Sequence, residues 1–329
     1  MKRRALVFIG LALLLTIAGC SPRAGARSSG ETRQVTIAMG FIPNVQFAPM
    51  YVAIERGYFA EEGIEVVLDY GMETDLLQRV GTNDLQFAVA NGDQVILARA
   101  NDLPVTYVLN WYHRFPVCVA SLADRGITAP EDLIGKTVGT PAAEGASYIG
   151  WLAFLDRAGI AAEQVNLQVI GYTQVASLVE GRVDAAICYA QNEPVQLRES
   201  GYALNVLDMG DYTRLVSAGV VTNEATIEDD PELVQGIVRA FLRGLKDTVT
   251  DADAAFEISR RAIPEMDEAA AKVQRAVLKE SIAIWRAEEY GRSDPEAWAE
   301  SVALLRQIGL VTTDVDPESM YTNRFVDAS

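Results

Sequence analysis

The sequence predicts an α/β protein built from two domains or lobes. From Val35 to Leu207, short apolar runs alternate with stretches whose apolar residues recur every three or four positions. This pattern is typical of strands alternating with helices, and it predicts mostly parallel sheets. The chain has 329 residues, more than one compact core usually holds. Half of the residues are apolar and 22% are charged, a composition that indicates a globular rather than a disordered chain.

Short apolar runs are the candidate strands, and the amphipathic stretches between them are the candidate helices. The predicted strands are Val35–Met39, Glu65–Tyr70, Leu85–Ala90, Val105–Leu109, Val117–Ala120, Thr137–Gly139, Leu167–Gly171, Ala185–Tyr189 and Leu204–Leu207. The predicted helices between them are Ala48–Phe59, Asp75–Thr82, Asp93–Ala100, Ser147–Ala158, Gln174–Glu180 and Pro194–Ser200.

After about residue 228 the strand pattern stops and helical spacing continues alone. Asp229-Asp230-Pro231-Glu232 is an acidic helix start with proline in the first turn, a common arrangement at helix N-termini. Leu233, Ile237, Phe241 and Leu245 then follow on one face. Further helices are predicted near Ala252–Ala262, Asp267–Ala287 and Asp294–Ile308.

Charge and composition exclude several classes of function. There are 28 Lys and Arg residues against 45 Asp and Glu residues, a net charge of −17. Such a surface repels phosphate backbones, so nucleic acid is not an expected partner. His113 is the one histidine, which excludes a metal or catalytic centre built on several histidines, and no metal or cofactor is predicted. The three cysteines are too few for a disulfide scaffold. Cys118 and Cys188 lie inside apolar strands, so free buried thiols are expected there rather than a disulfide.

The first twenty residues have the order of features found in a bacterial lipoprotein signal. Lys2-Arg3-Arg4 is followed by an apolar run, Ala5 to Thr16, which is too short to span a bilayer. Ile17-Ala18-Gly19-Cys20 then places small residues before a cysteine. We expect residues 1–19 to be removed, Cys20 to be acylated, and residues 20–32 to form a tether on the outer side of the cell membrane. The alternative is a plain secretory peptide with an incidental cysteine.

Four loops between strands and helices share glycine, proline or amide residues and form the candidate site: residues 40–49, 90–94, 139–148 and 189–194. Helix N-termini present N–H groups at the sheet edge where ligands collect. Each loop taken singly has the composition of an ordinary turn. Four loops of matching composition favour a shared cleft.

Aromatic side chains cluster near these loops, beside amides and carboxylates, and suit a planar, uncharged, hydrogen-bonding ligand. Glu144 and Glu193 could be a catalytic acid and base, but solvated or helix-capping carboxylates explain them better, and no catalytic residue is assigned. The candidate ligand-binding residues are Phe41, Asn44, Gln46, Asn91, Asp93, Trp111, Glu144, Tyr148, Tyr189, Asn192 and Glu193. Further aromatic residues nearby are Phe47, Tyr112, Trp151 and Tyr172.

Motifs spread in order from about residue 36 to residue 250 carry a family resemblance. The sequence resembles the solute-binding proteins of ABC importers that take up thiamine-precursor pyrimidines, riboflavin, sulfonates and nitrate. The matching segments are Pro43-Asn44, Tyr51-Val52-Ala53-Ile54-Glu55-Arg56-Gly57-Tyr58-Phe59, Glu62-Gly63-Ile64-Glu65-Val66, Asn91-Gly92-Asp93, Asp132-Leu133-Ile134-Gly135-Lys136-Thr137-Val138-Gly139, Gly181-Arg182-Val183-Asp184-Ala185, Asn192-Glu193-Pro194, Pro231-Glu232-Leu233-Val234 and Phe241-Leu242-Arg243-Gly244-Leu245.

The resemblance implies a two-lobed periplasmic-binding-protein fold of type II with a hinged cleft that closes over the ligand. Lobe 1 would comprise residues 33–119 and 217–329, and lobe 2 residues 120–216. It also implies a monomer, held at the membrane by acylated Cys20, that delivers its ligand to an ABC permease with its ATPase. This is a transport role and not an enzyme.

The same resemblance extends to pyrimidine synthases, which carry a histidine shortly after the Pro-Asn of the first loop and a cysteine-rich stretch. Phe47 stands where that histidine would fall, and the cysteine-rich stretch is missing, which disfavours the synthase. The loops hold few cations and several acids, which disfavours nitrate and sulfonates. A vitamin-type aromatic heterocycle fits better: riboflavin is favoured, and a thiamine-precursor pyrimidine is the alternative.

Overall fold

Two five-stranded sheets organise the part of the chain that the structure, a computed structural model, describes: residues 32–71 and 73–329. The strands are β1 Arg33–Met39, β2 Ile64–Tyr70, β3 Phe87–Asn91, β4 Val105–Asn110, β5 Val117–Leu122, β6 Thr137–Thr140, β7 Asn166–Val169, β8 Ala185–Tyr189, β9 Leu204–Asp208 and β10 Ala218–Asn223. The predicted signal peptide, Cys20 and nearly all of the tether lie outside the described residues.

Helices cover both sheets and make up most of the chain after residue 223. They are α1 Ala48–Glu55, α2 Tyr58–Glu61, α3 Glu73–Gly81, α4 Gly92–Ala100, α5 Gly145–Ala158, α6 Gln174–Val179, α7 Glu193–Glu199, α8 Glu224–Asp229, α9 Pro231–Thr250, α10 Ala252–Ala262, α11 Glu268–Trp285, α12 Pro295–Gln307 and α13 Arg324–Asp327. Over residues 32–71 and 73–329, none of the helices has the length and apolar character needed to cross a membrane.

The α/β class is confirmed, and each sheet is mixed, with one reversed strand among otherwise parallel ones. The first sheet has the order β2-β1-β3-β10-β4, and the second has the order β7-β6-β8-β5-β9. β1 runs parallel to β2 and β3, and β6 runs parallel to β7 and β8. β10 and β5 run antiparallel to both of their neighbours. In each sheet four of the five strands therefore run in one direction, as expected, and the reversed strands are the two that bring the chain across between the sheets.

Strand β10 is the one described strand that the sequence pattern did not predict. Its apolar run is short, and Gly219 interrupts it. The structure requires that glycine, because a Cβ atom there would lie 2.1 Å from the Leu109 carbonyl oxygen. Every residue of β10 is buried between β3 and β4. Two segments therefore connect the sheets, residues 111–116 on the way out and residues 209–217 on the way back. The predicted lobe boundaries near residues 119 and 216 stay a prediction.

The predicted helix Ala48–Phe59 is two helices. α1 ends at Glu55, and α2 begins at Tyr58 after Gly57, whose φ of 74° lies in the left-handed region. Glycine adopts this conformation without steric cost, so it ends the first helix and redirects the chain. In α9 the predicted face is confirmed, since Leu233, Ile237, Phe241 and Leu245 are all buried in the core.

Cys118 and Cys188 are free and buried, as predicted. They lie directly opposite one another on the antiparallel strands β5 and β8. Burial raises the pKa of both thiols well above the ordinary value, so at neutral pH they stay protonated and pack as small apolar side chains.

Close packing of α9 on α1 makes the size of Gly244 critical. A Cβ atom there would lie 2.2 Å from the Pro49 carbonyl oxygen and 2.8 Å from the Ala53 Cβ, so Gly244→Ala should force the helices apart and lower the free energy of unfolding by about 1–3 kcal/mol. Gly236→Ala in the same helix is the matched control, because its nearest neighbours are the flexible side chains of Ile64 and Glu62 at 3.1 and 3.2 Å. Urea unfolding of both variants measures the difference, and equal stability would contradict the packing argument.

Candidate ligand-binding site

A partly open space, here called the inner cavity, lies where the loops of the two sheets meet. It is formed at the carboxyl ends of β1, β3, β4, β6, β7 and β8 and at the first residue of the antiparallel β10. Its volume, including the part open to solvent, is about 1000 Å³. It is lined by Gly40, Phe41, Gln46, Phe47, Val89, Ala90, Asn91, Trp111, Tyr112, Pro141, Ala142, Glu144, Gly145, Ala146, Ser147, Tyr172, Gln174, Tyr189, Asn192, Glu193 and Ala218.

One wall of the inner cavity is a packed group of aromatic rings. The ring of Trp111 lies 6.2 Å from Phe47, 5.3 Å from Tyr112 and 5.4 Å from Trp285, centroid to centroid. Trp111 is fully buried, and burial raises the pKa of Tyr112, so its hydroxyl stays neutral. Rings that hold each other in place present a rigid apolar surface, which suits a flat ligand.

Glu193, at the start of α7, adds a buried carboxylate to the cavity lining. Its Oε2 accepts a hydrogen bond from the Tyr189 backbone N–H at 2.9 Å, and its Oε1 accepts one from Asn192 Nδ2 at 2.8 Å. Burial raises the pKa of this carboxyl group, although both hydrogen bonds oppose the shift. Glu144 is exposed at the rim. The hydrogen bonds of the Glu193 carboxylate are thus made within its own loop. They do not involve Glu144, so they give no support to an acid and base pair formed by the two residues.

Two buried amides join the loops of the two sheets. Gln191, which follows β8, donates from Nε2 to Gln46 Oε1 at 2.7 Å. Gln46 in turn donates from its backbone N–H and its Nε2 to Asn44 Oδ1, at 3.0 and 3.2 Å. Because all three side chains are more than nine-tenths buried, these hydrogen bonds are shielded from water and hold the two loops against each other in this structure.

A second space, here called the outer groove, opens next to the inner cavity. Phe41 and Tyr172 lie at the junction, with their rings edge to face at a centroid distance of 5.0 Å. Each ring comes from the loop of a different sheet. The outer groove is lined by Phe41, Ile42, Pro43, Asn44, Tyr172, Thr173, Gln174, Val175, Ala176, Val179, Asn192, Glu193, Gln196, Ser200, Tyr202, Ile263, Glu265, Met266, Ala270 and Gln274.

The structure brings most of the candidate ligand-binding residues to the inner cavity. Asn44 lines the outer groove instead. Asp93 is fully buried in the first turn of α4, where its Oδ1 accepts from the Gln94 N–H at 2.7 Å. Tyr148 packs against the core. The candidates that line the inner cavity are Phe41, Gln46, Asn91, Trp111, Glu144, Tyr189, Asn192 and Glu193. Their role in binding stays a prediction.

Several cavity residues were absent from the predicted set. Tyr112, Tyr172 and Phe47 were noted as nearby aromatic residues, and the loop composition could have extended the set to them. Gln174 had a usable signal, because it is a polar residue that opens a helix after a strand. Val89 and Ala218 had none, since apolar strand residues that face a cavity resemble those that face the core. Trp151 and His113, in contrast, lie outside both lining sets.

A sequence profile of the family described as NMT1/THI5 like matches residues 44–255, more than half of the chain. The chain belongs to the NMT1/THI5-like family. A riboflavin-binding protein of Chloroflexus aurantiacus, RibY, is similar to this NMT1/THI5-like chain, with 41% identity over 99% of this chain and 98% of its own length. A formylaminopyrimidine-binding protein of Halalkalibacterium halodurans is 31% identical over 93% of this chain and 94% of its own length.

The fold of this NMT1/THI5-like chain is that of the periplasmic binding proteins, as expected from the motifs. The alkanesulfonate-binding protein SsuA of Xanthomonas axonopodis pv. citri superimposes with a TM-score of 0.71, covering 89% of this chain and 99% of its own, at 13% identity. At that identity the likeness concerns the fold alone.

Relatives of this NMT1/THI5-like chain also include an enzyme. A 4-amino-5-hydroxymethyl-2-methylpyrimidine phosphate synthase of Legionella pneumophila is 25% identical over 92% of this chain and 94% of its own length. In the inner cavity Phe47 presents a hydrocarbon ring to the space. Among the described residues, no group of three or more His, Cys, Asp and Glu side chains could hold a metal ion.

The raised pKa of Glu193 makes a testable statement about stability. Because the folded chain binds this proton more tightly than the unfolded chain, the contribution of Glu193 to folding is greatest below about pH 4.5 and is lost as the pH rises through the raised pKa. The amide of a Glu193→Gln variant does not titrate in this pH range. The free energy of unfolding of the wild type, minus that of the variant, should therefore fall between pH 4 and neutral pH. If the free energies of unfolding of the wild type and Glu193→Gln changed equally with pH, the raised pKa of Glu193 would be contradicted.

Proposed function

We propose that this chain is the substrate-binding lipoprotein of an ABC importer and that it captures riboflavin. The observation that carries the proposal is the inner cavity, which combines an aromatic wall with amide and carboxylate groups. The 41% identity to a protein named riboflavin-binding, over nearly the whole of both chains, supports the choice of ligand.

The aromatic wall suits the flat ring system of a flavin. Trp111, Tyr112 and Phe47 offer large π-surfaces that are already packed in place, so a planar ring gains contact area with little loss of side-chain entropy. The Trp111 Nε1 atom is buried without a hydrogen-bond partner in the protein, and a ligand acceptor could satisfy it.

Polar groups of the cavity match the donors and acceptors of a neutral heterocycle. The first turn of α5, Gly145 to Ser147, lines the cavity, and helix geometry leaves its backbone N–H groups without intrahelical acceptors. The Glu144 side chain does not cap them, so they can donate to a ring carbonyl oxygen. Glu193 can accept from a ring N–H. These are the contacts that would orient a flavin in the cavity.

Charge argues against an anionic ligand. The described residues that line the inner cavity and the outer groove include no Lys, Arg or His, whereas Glu144, Glu193 and Glu265 contribute carboxylates. A sulfonate or nitrate ion would lose its hydration shell without gaining a cationic partner. A neutral vitamin incurs no such cost.

Delivery to a permease is part of the proposal. The two connecting segments, residues 111–116 and 209–217, are the natural hinge between the two sheets. The lipoprotein signal in residues 1–20 would hold the protein at the outer surface of the cell membrane through Cys20. A monomer on a tether of about a dozen residues could then bring its loaded cleft to the permease.

A titration of residues 21–329 with riboflavin tests the ligand. We expect riboflavin to saturate one site with a dissociation constant below about 1 µM. The quenching of flavin fluorescence measures the binding. Trp111→Phe should weaken binding about ten-fold, since the larger ring forms the cavity wall. Trp151→Phe is the matched control: Trp151 is equally buried, lies outside the cavity lining, and should leave the affinity unchanged.

The same titration separates the two ligand hypotheses. If riboflavin does not bind and a formylaminopyrimidine does, the importer role would stand with the alternative ligand, for which the relative from Halalkalibacterium halodurans is the precedent. Equal loss of affinity in both tryptophan variants would contradict the assignment of the inner cavity.

Membrane attachment is tested with Cys20→Ser in the full-length chain. Without the thiol no acyl chain can be added, so the variant should move from the membrane fraction to the soluble fraction on cell fractionation. Ser21→Ala, at the adjacent position, is the control and should stay with the membranes. Continued attachment of Cys20→Ser would exclude lipidation at this residue.

A further inference from the structure

The outer groove is continuous with the inner cavity. Five residues line both spaces: Phe41, Tyr172, Gln174, Asn192 and Glu193. Its volume, including the part open to solvent, is about 1890 Å³, so it is the more spacious of the two. A ligand whose ring system fills the inner cavity can extend its remaining part past these shared residues into the groove.

The two spaces differ in chemistry. The inner cavity has an aromatic wall, whereas the groove carries hydroxyl and amide side chains from both sides, among them Thr173, Gln196 and Ser200 on one side and Gln274 on the other. A flat ring and a hydroxylated chain would therefore be bound in different places.

The polar side chains of the groove can accept hydrogen bonds from a ligand, because several of their donor groups are already used within the protein. Gln196 Nε2 already donates to Asn192 Oδ1 at 2.9 Å, and Ser200 Oγ donates to the Gln196 carbonyl oxygen at 2.8 Å. Thr173 Oγ1 donates to the Ile170 carbonyl oxygen at 2.7 Å. The Gln274 Oε1 atom is buried and has no hydrogen-bond partner in the protein. Hydroxyl groups, which can donate, are the complement of such a surface.

Charge restricts the occupant further. Glu193 and Glu265 line the groove, and no Lys, Arg or His does so among the described residues. A phosphate at the end of the ligand chain would face like charge with no cation to offset it.

We infer that the outer groove is a second subsite, which binds the neutral polyhydroxyl chain of a ligand whose ring system occupies the inner cavity and rejects the phosphorylated form of the same ligand. This inference rests on the proposed function, because it takes a flavin as the ligand. It assigns Gln274 as a hydrogen-bond acceptor for a chain hydroxyl and Glu265 as a carboxylate that disfavours phosphate.

Three flavins that share one ring system test the subsite: lumiflavin, which has a methyl group in place of the chain, riboflavin, and riboflavin 5′-phosphate. Wild-type protein should bind riboflavin about ten-fold more tightly than lumiflavin, and bind the phosphate more weakly than riboflavin. Gln274→Leu should lower the affinity for riboflavin about five- to ten-fold and leave the affinity for lumiflavin unchanged. Gln78→Leu, at an exposed position on α3, is the matched control.

A second variant, Glu265→Gln, tests the role of the carboxylate. It should reduce the preference for riboflavin over riboflavin 5′-phosphate by a few-fold. The effect is small because the Glu265 side chain is exposed and its charge is screened. Glu268→Gln, whose carboxylate pairs with Arg260 at 2.5 Å, is the control. Equal affinity for lumiflavin and riboflavin, together with an inert Gln274→Leu, would overturn the subsite and leave the proposed function intact. Failure of all three flavins to bind would overturn the subsite and the choice of riboflavin as the ligand.

Discussion

The insertion of β10 between β3 and β4 is the constraint on which the rest of the structure depends. It brings the returning chain back to the middle of the first sheet, so the two connecting segments must lie side by side. The start of β10 also supports the cavity walls directly. The Ala218 carbonyl oxygen accepts from the backbone N–H groups of Trp111 and Tyr112 at 3.1 and 3.0 Å, and Ser217 Oγ donates to Asn91 Oδ1 at 3.2 Å. The strand that completes the first sheet thus also holds residues of the cavity wall in place.

The site is rigid on one side and adjustable on the other. Trp111 is packed among Phe47, Tyr112, Phe241 and Trp285, and rings held at such distances add to each other's stability beyond the area they bury. The contacts between the loops of the two sheets are fewer and more polar, as with the amides of Gln46 and Gln191. A binding protein needs this division, since a firm wall selects the ligand, and a few hydrogen bonds between the loops can break when the loops separate.

Regular elements could be predicted from the sequence, because periodicity reports directly on which face is buried. The buried stripe of α9 could be predicted without tertiary information, and so could the starts of helices such as α6 at Gln174 and α10 at Ala252. β10 escaped prediction, since Gly219 is demanded by the neighbouring Leu109 carbonyl oxygen and not by any local pattern. The parallel or antiparallel sense of a strand is likewise a property of the whole chain path.

The loops of the site could be located from the sequence, but the orientation of their side chains could not. Asp93 lies next to Asn91 in a matching motif, yet the first turn of α4 directs it into the core. Val89 and Ala218 line the cavity because it forms where the loops of the two sheets meet, which no local pattern shows. Consecutive residues point in different directions, and backbone dihedral angles rather than residue type decide which of them meets the ligand.

The contact between Phe41 and Tyr172 has a consequence for rates. The two rings touch across the junction of the inner cavity and the outer groove, so a ligand that enters through the groove must first wait for them to separate. Association would then be slower than free diffusion allows, because only the fraction of molecules with parted rings can accept a ligand. The same contact, once re-formed behind the ligand, would lengthen its residence time. Rapid capture would thus be exchanged for longer retention of whatever the inner cavity binds.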